Sequence, residues 1–360
     1  MPATVRSRVP IKKALCVGIE YRELAEHFPQ LHLPAVHKDP VIMAGLLQGG
    51  LCEEQSAQGN FGLTAVRGIS LLEYYGYRPE NITILTDAKG TNRPPTRDNI
   101  VASMHELVRD AQAGDHLVFH FSGHGSQVLA PPDHVEEVDG WDELIWPCDV
   151  RAYLDYEETI QVDNYILDDD IKKFLVDPLP AGVRLAILFD CCSSGTAADL
   201  PFSCGASILS SPINPRDISF CRPVQVGAPL LPRPRRRSKT IIDLKYDINA
   251  LNPKRRTTFQ SLDEWPSDNE DPSALPFVTS WAACLDNQAT LESSVGSVFL
   301  RALKESLKQN PHQTNGQMLN NITSWLHRKV PWRQLEQQPP KPQLSSNLSL
   351  GLVYHATFEL

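Results

Sequence analysis

Two apolar stretches of this chain end in residues suited to nucleophilic chemistry. Residues 186–195 read Ala-Ile-Leu-Phe-Asp-Cys-Cys-Ser-Ser-Gly, so an apolar run meets Asp190, the vicinal Cys191 and Cys192, and a small polar turn. Residues 116–125 read His-Leu-Val-Phe-His-Phe-Ser-Gly-His-Gly, and a similar run ends with His124 between two glycines. Each run has the length and composition of a strand buried on both faces. Open α/β sheets place their sites at the carboxyl ends of such strands. A thiol held there is a strong nucleophile once a base is near, and histidine is the commonest base. Taken alone, the two cysteines read equally well as small core residues, and a lone histidine as structural. The pairing of the two strand ends, 68 residues apart, points instead to a Cys–His dyad. Backbone N–H groups at the two tight turns, those of Gly123 and Cys192, are the candidates for stabilising an oxyanion. Adjacent strand residues face opposite sides, so only one of the two cysteines can face the site.

The elements that must position these groups alternate between strand and helix. Ala14–Ile19 reads as a first buried strand, with a helix from Pro40 to Leu47 after it. Helical spacing at Ala65, Ile69 and Leu72 marks a second helix between Gly62 and Tyr75. Asn81–Leu85 is a strand, and Thr96 is placed to cap a helix that runs to Ala111. A short helix is expected near Ile171. After the cysteine strand come a strand at Val278–Cys284, helices at Val295–Leu307 and Leu319–Trp325, and a last strand at Leu352–Phe358. This alternation predicts an α/β fold: a central, mostly parallel sheet flanked by helices on both faces. Residues 203–275 break the pattern, with frequent prolines, basic clusters and no period. The expected organisation is a short extension at 1–10, one catalytic domain in two parts at 11–202 and 276–360, and a flexible insertion at 203–275.

Composition narrows the function. The 360 residues contain 41% hydrophobic residues, enough for a core, and carry a formal net charge of −9, which argues against a general nucleic-acid binder. No apolar run reaches the roughly 18 residues of a membrane span, and residues 1–10 lack the apolar centre of a secretory signal. The eight cysteines show neither metal-ligand spacing nor a disulfide framework. A reducing location, cytoplasmic or nuclear, follows as the expectation, together with a monomer and no organic cofactor.

The motifs around the two strand ends resemble those of metacaspases, above all the single-chain type of fungi and protists. The resemblance rests on His-Phe-Ser-Gly-His-Gly-Ser-Gln at 120–127 and Phe-Asp-Cys-Cys-Ser-Ser-Gly-Thr at 189–196. It is supported by Trp-Asp-Glu-Leu-Ile-Trp-Pro-Cys-Asp at 141–149, Ile-Leu-Asp-Asp-Asp-Ile at 166–171, Asp-Leu-Pro-Phe at 199–202, Cys-Leu-Asp-Asn-Gln at 284–288 and Gln-Leu-Ser-Ser at 343–346. Caspases, which share this layout, carry their histidine some tens of residues before the cysteine. The resemblance implies a caspase-like fold and a cysteine endopeptidase with His124 and Cys192 as the dyad, Cys192 being the third residue of the family's Asp-Xaa-Cys motif. It implies cleavage after Arg or Lys, with Asp39, Asp190 and the Ser122 hydroxyl forming the specificity pocket. Two carboxylates suit a guanidinium or ammonium group; the alternative for Asp39 is a solvated helix N-cap. It also implies an activating calcium ion held by Asp142, Asp168, Asp169 and Asp199. Hard oxygen ligands suit Ca²⁺, whereas Asp168-Asp169-Asp170 alone reads as an acidic surface loop.

The sequence departs from the family at Ser193, where most members have histidine, and at Lys38, where asparagine is usual. These departures support an alternative, a weakly active homologue that binds proteins in quality control. A third reading, redox sensing by the vicinal cysteines, leaves the His124 motif unexplained. Substrates are expected to be proteins or peptides with a basic residue before the scissile bond. The basic text of the insertion then predicts self-cleavage after Arg235, Arg236, Arg237 or Lys239, and secondarily after Arg255 or Arg256.

Overall fold

In the computed structural model, which describes residues 8–49, 75–129, 141–155, 160–191, 198–205, 220–221, 274–284, 292–293, 296–330 and 339–360, the chain starts its sheet with β1 (Lys12–Gly18). Helix α1 (Asp39–Leu47) follows, then β2 (Ile82–Thr86), α2 (Arg97–Val108) and β3 (His116–Ser122). Short strands β4 (Gly125–Leu129), β5 (Trp141–Ile145), β6 (Arg151–Leu154), β7 (Ile160–Asp163) and β8 (Ile166–Leu167) form two small side sheets. Helix α3 (Asp168–Ile171) continues as a wider turn through Lys172–Val176 and leads to β9 (Arg184–Asp190). The later strands are β10 (Phe202–Gly205), β11 (Phe220–Cys221), β12 (Phe277–Ala282), β13 (Glu292–Ser293), β14 (Gly296–Ser297) and β15 (Gln343–Ser346). Helices α4 (Val298–Gln309), α5 (Asn315–Lys329) and α6 (Leu350–His355) complete the set.

The main sheet runs β11-β10-β15-β12-β9-β3-β1-β2. The strands from β12 to β2 are parallel, and β15, β10 and β11 extend the sheet antiparallel. Strand side chains alternate between faces, and the core divides accordingly. Leu15, Val17, Phe119, Phe121, Ile187 and Phe189 pack with Ile100, Met104 and Leu107 of α2 on one face. Cys16, Val118, Leu188 and Trp281 pack with Met43 of α1, Phe299 of α4 and Met318 of α5 on the other. Helices therefore cover both faces, as the sequence predicts, and the central strands read as continuous apolar runs for that reason.

Local signals explain the helix starts. Thr96 accepts a hydrogen bond from Asn99 N at 3.3 Å. Ser297 accepts one from Leu300 N at 3.0 Å. Thr314 and Gln317 form a reciprocal capping box. Two elements differ from expectation. The predicted final strand is instead a helix over Leu350–His355, which buries Leu350 and Val353, three residues apart, on one face. The strand position in the sheet belongs to β15, a polar Gln-Leu-Ser-Ser run whose groups are satisfied internally. Ser346 Oγ, for example, donates to the Val278 carbonyl at 2.7 Å. The sheet also continues beyond 202, since β10 pairs with β15.

Candidate active site

The carboxyl ends of β1, β3 and β9 lie level. Gly18 pairs with Ser122, and Ser122 with Asp190. His124 stands two residues beyond Ser122, and Cys192 two residues beyond Asp190 in the sequence. His124 is buried and tightly held. Its backbone N–H donates to Tyr21 Oη at 2.8 Å, and Tyr21 Oη donates to the Trp146 carbonyl at 2.7 Å. The imidazole packs against the Tyr21 ring at 4.7 Å and the Trp146 ring at 5.2 Å. His124 Nε2 lies 2.9 Å from the Leu31 carbonyl oxygen. A carbonyl only accepts, so Nε2 carries the proton, and in the neutral ring Nδ1 is the basic nitrogen. Gly123 must be glycine for this arrangement: a Cβ there would come within 2.7 Å of Tyr21 Oη.

The other histidine of the motif, His120, does not compete for the role of base. It is buried in the sheet, and desolvation pushes its pKa down to about 3, so it stays neutral. Cys191 packs in the same core as Ile187 and Phe189, and Cys284 Sγ donates to its carbonyl at 3.5 Å. Its alternation with those residues fits an inward-facing position. Cys192 lies outside the described residues, as does Ser193. The Gly123 N–H, one candidate oxyanion donor, is directed at the Asp190 carbonyl through a long 3.4 Å contact.

The three specificity candidates come together. Asp39, the first residue of α1, is fully buried and is not a solvated cap. Ser122 Oγ donates to Asp39 Oδ2 at 2.7 Å. Asp190, only 5% exposed, accepts a hydrogen bond from Ser297 Oγ, and the Ser297 N–H donates to Asp39 Oδ1 at 2.9 Å. Ser297 was not among the residues singled out from the sequence; a Gly-Ser pair before an amphipathic helix signals a cap and nothing more. Tyr21 and the Leu31 carbonyl likewise carry no sequence signal of their contacts with His124.

The four calcium candidates are carried by neighbouring segments. The pairing Leu144↔Leu167 brings Asp142 and Glu143 beside Asp168. Asp168 accepts from Glu143 N at 3.3 Å and from Asp169 N at 3.0 Å. Asp142 and Asp168 are buried, while Asp199 is ion-paired with Lys172, one turn beyond Asp168. Asp170, the third acid of that run, pairs with Arg97 at 3.0 Å. The donors are hard oxygens of the kind calcium takes. Among the described residues, however, no three His, Cys, Asp or Glu side chains gather at metal-binding geometry. Residues 235–239 and 254–256, the predicted self-cleavage region, lie outside the described residues.

Comparison with known proteins gives this arrangement a context. Residues 65–201 match the family model described as metacaspase, peptidase C14 domain. Metacaspase-1 of Pyricularia oryzae is 35% identical over 288 residues, covering 78% of this chain and 65% of that protein. Metacaspase-1 of Schizosaccharomyces pombe is 33% identical over 300 residues, 78% of this chain and 63% of the relative. Metacaspase-1 of Cryptococcus neoformans var. neoformans serotype D is 30% identical over 356 residues, 93% of this chain and 62% of the relative. The chain thus spans slightly less than two thirds of the length of these relatives. A solved protein from Geobacter sulfurreducens shares the fold at a TM-score of 0.50 and 15% identity, with 98% of this chain and 99% of that one covered. No helix among the described residues is long and apolar enough to cross a membrane.

Proposed function

The chain belongs to the metacaspase family of cysteine peptidases, and on that premise we propose that it is a calcium-dependent endopeptidase that cleaves after Arg or Lys. The observation that carries this reading is the buried carboxylate pair, Asp39 and Asp190, at the same sheet end as His124. His124 Nδ1 takes the Cys192 proton, the thiolate attacks the peptide carbonyl, and the imidazolium returns the proton to the leaving amine. Water activated by the same ring then hydrolyses the thioester. The Leu31 carbonyl keeps the ring in the required tautomer, because it accepts the Nε2 proton in both the neutral and the protonated ring. Gly123 and Cys192 supply the oxyanion N–H groups once substrate draws the Gly123 amide from its long contact with Asp190.

Calcium would be held by Asp142, Asp168, Asp169 and Asp199, where it would supply local charge neutralisation, and holding it would require these carboxylates to draw closer together than they stand in the structure. Within the chain, Lys172 supplies one positive charge to the same group through Asp199. Chelation of calcium is therefore expected to reduce turnover of Arg and Lys peptides strongly. Asp169→Ala or Asp199→Ala should raise the calcium concentration required. The fold should persist without metal, because the two apolar cores that pack the helices on the sheet are built from hydrophobic side chains alone. Full wild-type activity in excess chelator would remove calcium from this account.

The direct test of the proposed reaction is hydrolysis of fluorogenic peptides ending in Arg, Lys or Asp, with and without calcium, against Cys192→Ala. Ser193 favours a second reading, a weakly active homologue acting as a protein-binding factor. Absence of hydrolysis and of covalent labelling at Cys192 by an arginyl probe would favour that second reading.

Self-cleavage follows from the proposed specificity. The basic runs 233–239 and 254–256 belong to the same chain as the dyad, so they meet it at high effective concentration. Calcium addition followed by mass spectrometry should show cuts after Arg235, Arg236, Arg237 or Lys239, and fewer after Arg255 or Arg256. The two parts share one sheet through β9 and β12, so the fragments should stay associated. If wild type is uncut between 203 and 275, or Cys192→Ala yields the same fragments, self-processing is wrong.

A further inference from the structure

Ser297 touches both acids of the proposed specificity pocket and belongs to neither strand that carries the dyad. Its N–H donates to Asp39 Oδ1 at 2.9 Å, and its hydroxyl donates to Asp190 Oδ2. The same hydroxyl oxygen accepts the Leu300 N–H at 3.0 Å, closing the first turn of α4. A serine hydroxyl has one proton to give. Here that proton goes to Asp190 while a lone pair caps the helix, so its orientation is fully used. Ser122 holds the remaining Asp39 oxygen, Oδ2, at 2.7 Å. All four residues are at most 5% exposed.

The backbone before Ser297 is shaped for this contact. Gly296 has φ +104°, and a Cβ there would come within 2.5 Å of Asp39 Oδ1. Only glycine lets β14 approach the carboxylate so closely. The N-terminal turn of α4 thus faces two carboxylates, the polarity that a helix start favours, and Asp39 itself opens α1. Each carboxylate oxygen can accept more than one hydrogen bond. The contacts from Ser297 and Ser122 fix the two acids in place.

We infer that Ser297 is a specificity-positioning residue, whose amide holds Asp39 and whose hydroxyl holds Asp190 so that the two carboxylates converge on one guanidinium or ammonium group. This rests on the proposed cleavage after basic residues and adds to it the element that sets the spacing of the acids. A cap alone would matter for stability. A positioning role makes substrate affinity depend on the hydroxyl.

Glycine and threonine separate the two roles. Gly is nearly as well tolerated as Ser at an N-cap but has no hydroxyl, while Thr caps and keeps it. KM and kcat should be measured on Arg and Lys peptides for wild type, Ser297→Gly, Ser297→Ala and Ser297→Thr. Active enzyme should be counted by titration of the thiol, and Tm recorded for each. The expected result is a KM about tenfold higher for both Gly and Ala variants, with a smaller fall in kcat, and recovery of affinity in the Thr variant. The inhibition constant of benzamidine, a small cation, should weaken in parallel. Unchanged KM in the Gly and Ala variants, with Tm lowered only in Ala, would show a cap and overturn the inference while leaving the pocket reading intact. A wild type that shows no preference for Arg or Lys would overturn the pocket reading itself, and the inference with it.

Discussion

Cys192→Ala and His124→Ala should each lower turnover of basic peptides by about 10⁴-fold or more, because nucleophile and base act as one unit. Cys191→Ala should retain most activity. The reason is geometric: Cys191 belongs to the core cluster of Ile187 and Phe189, so its replacement removes one small buried group. Its cost is one of packing, about 1 kcal/mol or more with the cavity it leaves. His124→Ala also removes the ring between Tyr21 and Trp146, so thermal stability must be measured beside activity. His124→Gln is the useful companion, since it fills part of the space without a base. Loss of turnover in both His124 variants, with folded protein in both, fixes the base. If Cys191→Ala were the inactive variant and Cys192→Ala active, the nucleophile would be assigned one residue too late.

How far the sequence alone reaches is shown by the contrast between β9 and β15. Strand β9 is buried on both faces, so its central run 185–189 is apolar and its position legible. Strand β15 occupies an equally internal place in the sheet with Gln343, Ser345 and Ser346, all buried. Its polar groups find partners such as the Val278 carbonyl only after β12 and β10 have assembled around it. No local pattern announces such a strand. The final helix was misread for a related reason: six residues hold too few turns to show a period, and Val and aromatic residues resemble a strand in so short a window. The candidate site divides in the same way. Asp190 closes β9 and His124 follows the end of β3, and strand ends are where sequence signals concentrate. Tyr21, Leu31 and Ser297 act through contacts with residues far away along the chain, and the Leu31 contribution is a backbone carbonyl, which any residue type provides.

Asp39→Asn and Asp190→Asn are expected to lower kcat/KM for Arg peptides by about 10- to 100-fold each, the value of a hydrogen bond to a charged group. These substitutions suit the site because they remove charge with little change of shape. In Asp39→Asn, the amide oxygen can keep the Ser297 N–H, and the new NH₂ can donate to Ser122 Oγ, which rotates to accept. In Asp190→Asn, the amide oxygen can keep the Ser297 hydroxyl. Folding should therefore survive, and the loss should fall on basic substrates more than on neutral ones. Alanine would be a poorer choice, because it strands Ser122 and Ser297 donors in a buried place at a cost of about 1–3 kcal/mol apiece. The double Asn variant should lose most of the distinction between Arg and a neutral residue, and its effect need not equal the sum, since both acids share Ser297. Peptides ending in Asp should resist the wild type, because a third carboxylate would enter against two already buried there. The measurement is kcat/KM on a panel of peptides ending in Arg, Lys, Gln and Asp. An unchanged Arg-to-Gln ratio in both single variants, or efficient wild-type cleavage after Asp, would move the specificity pocket away from Asp39 and Asp190.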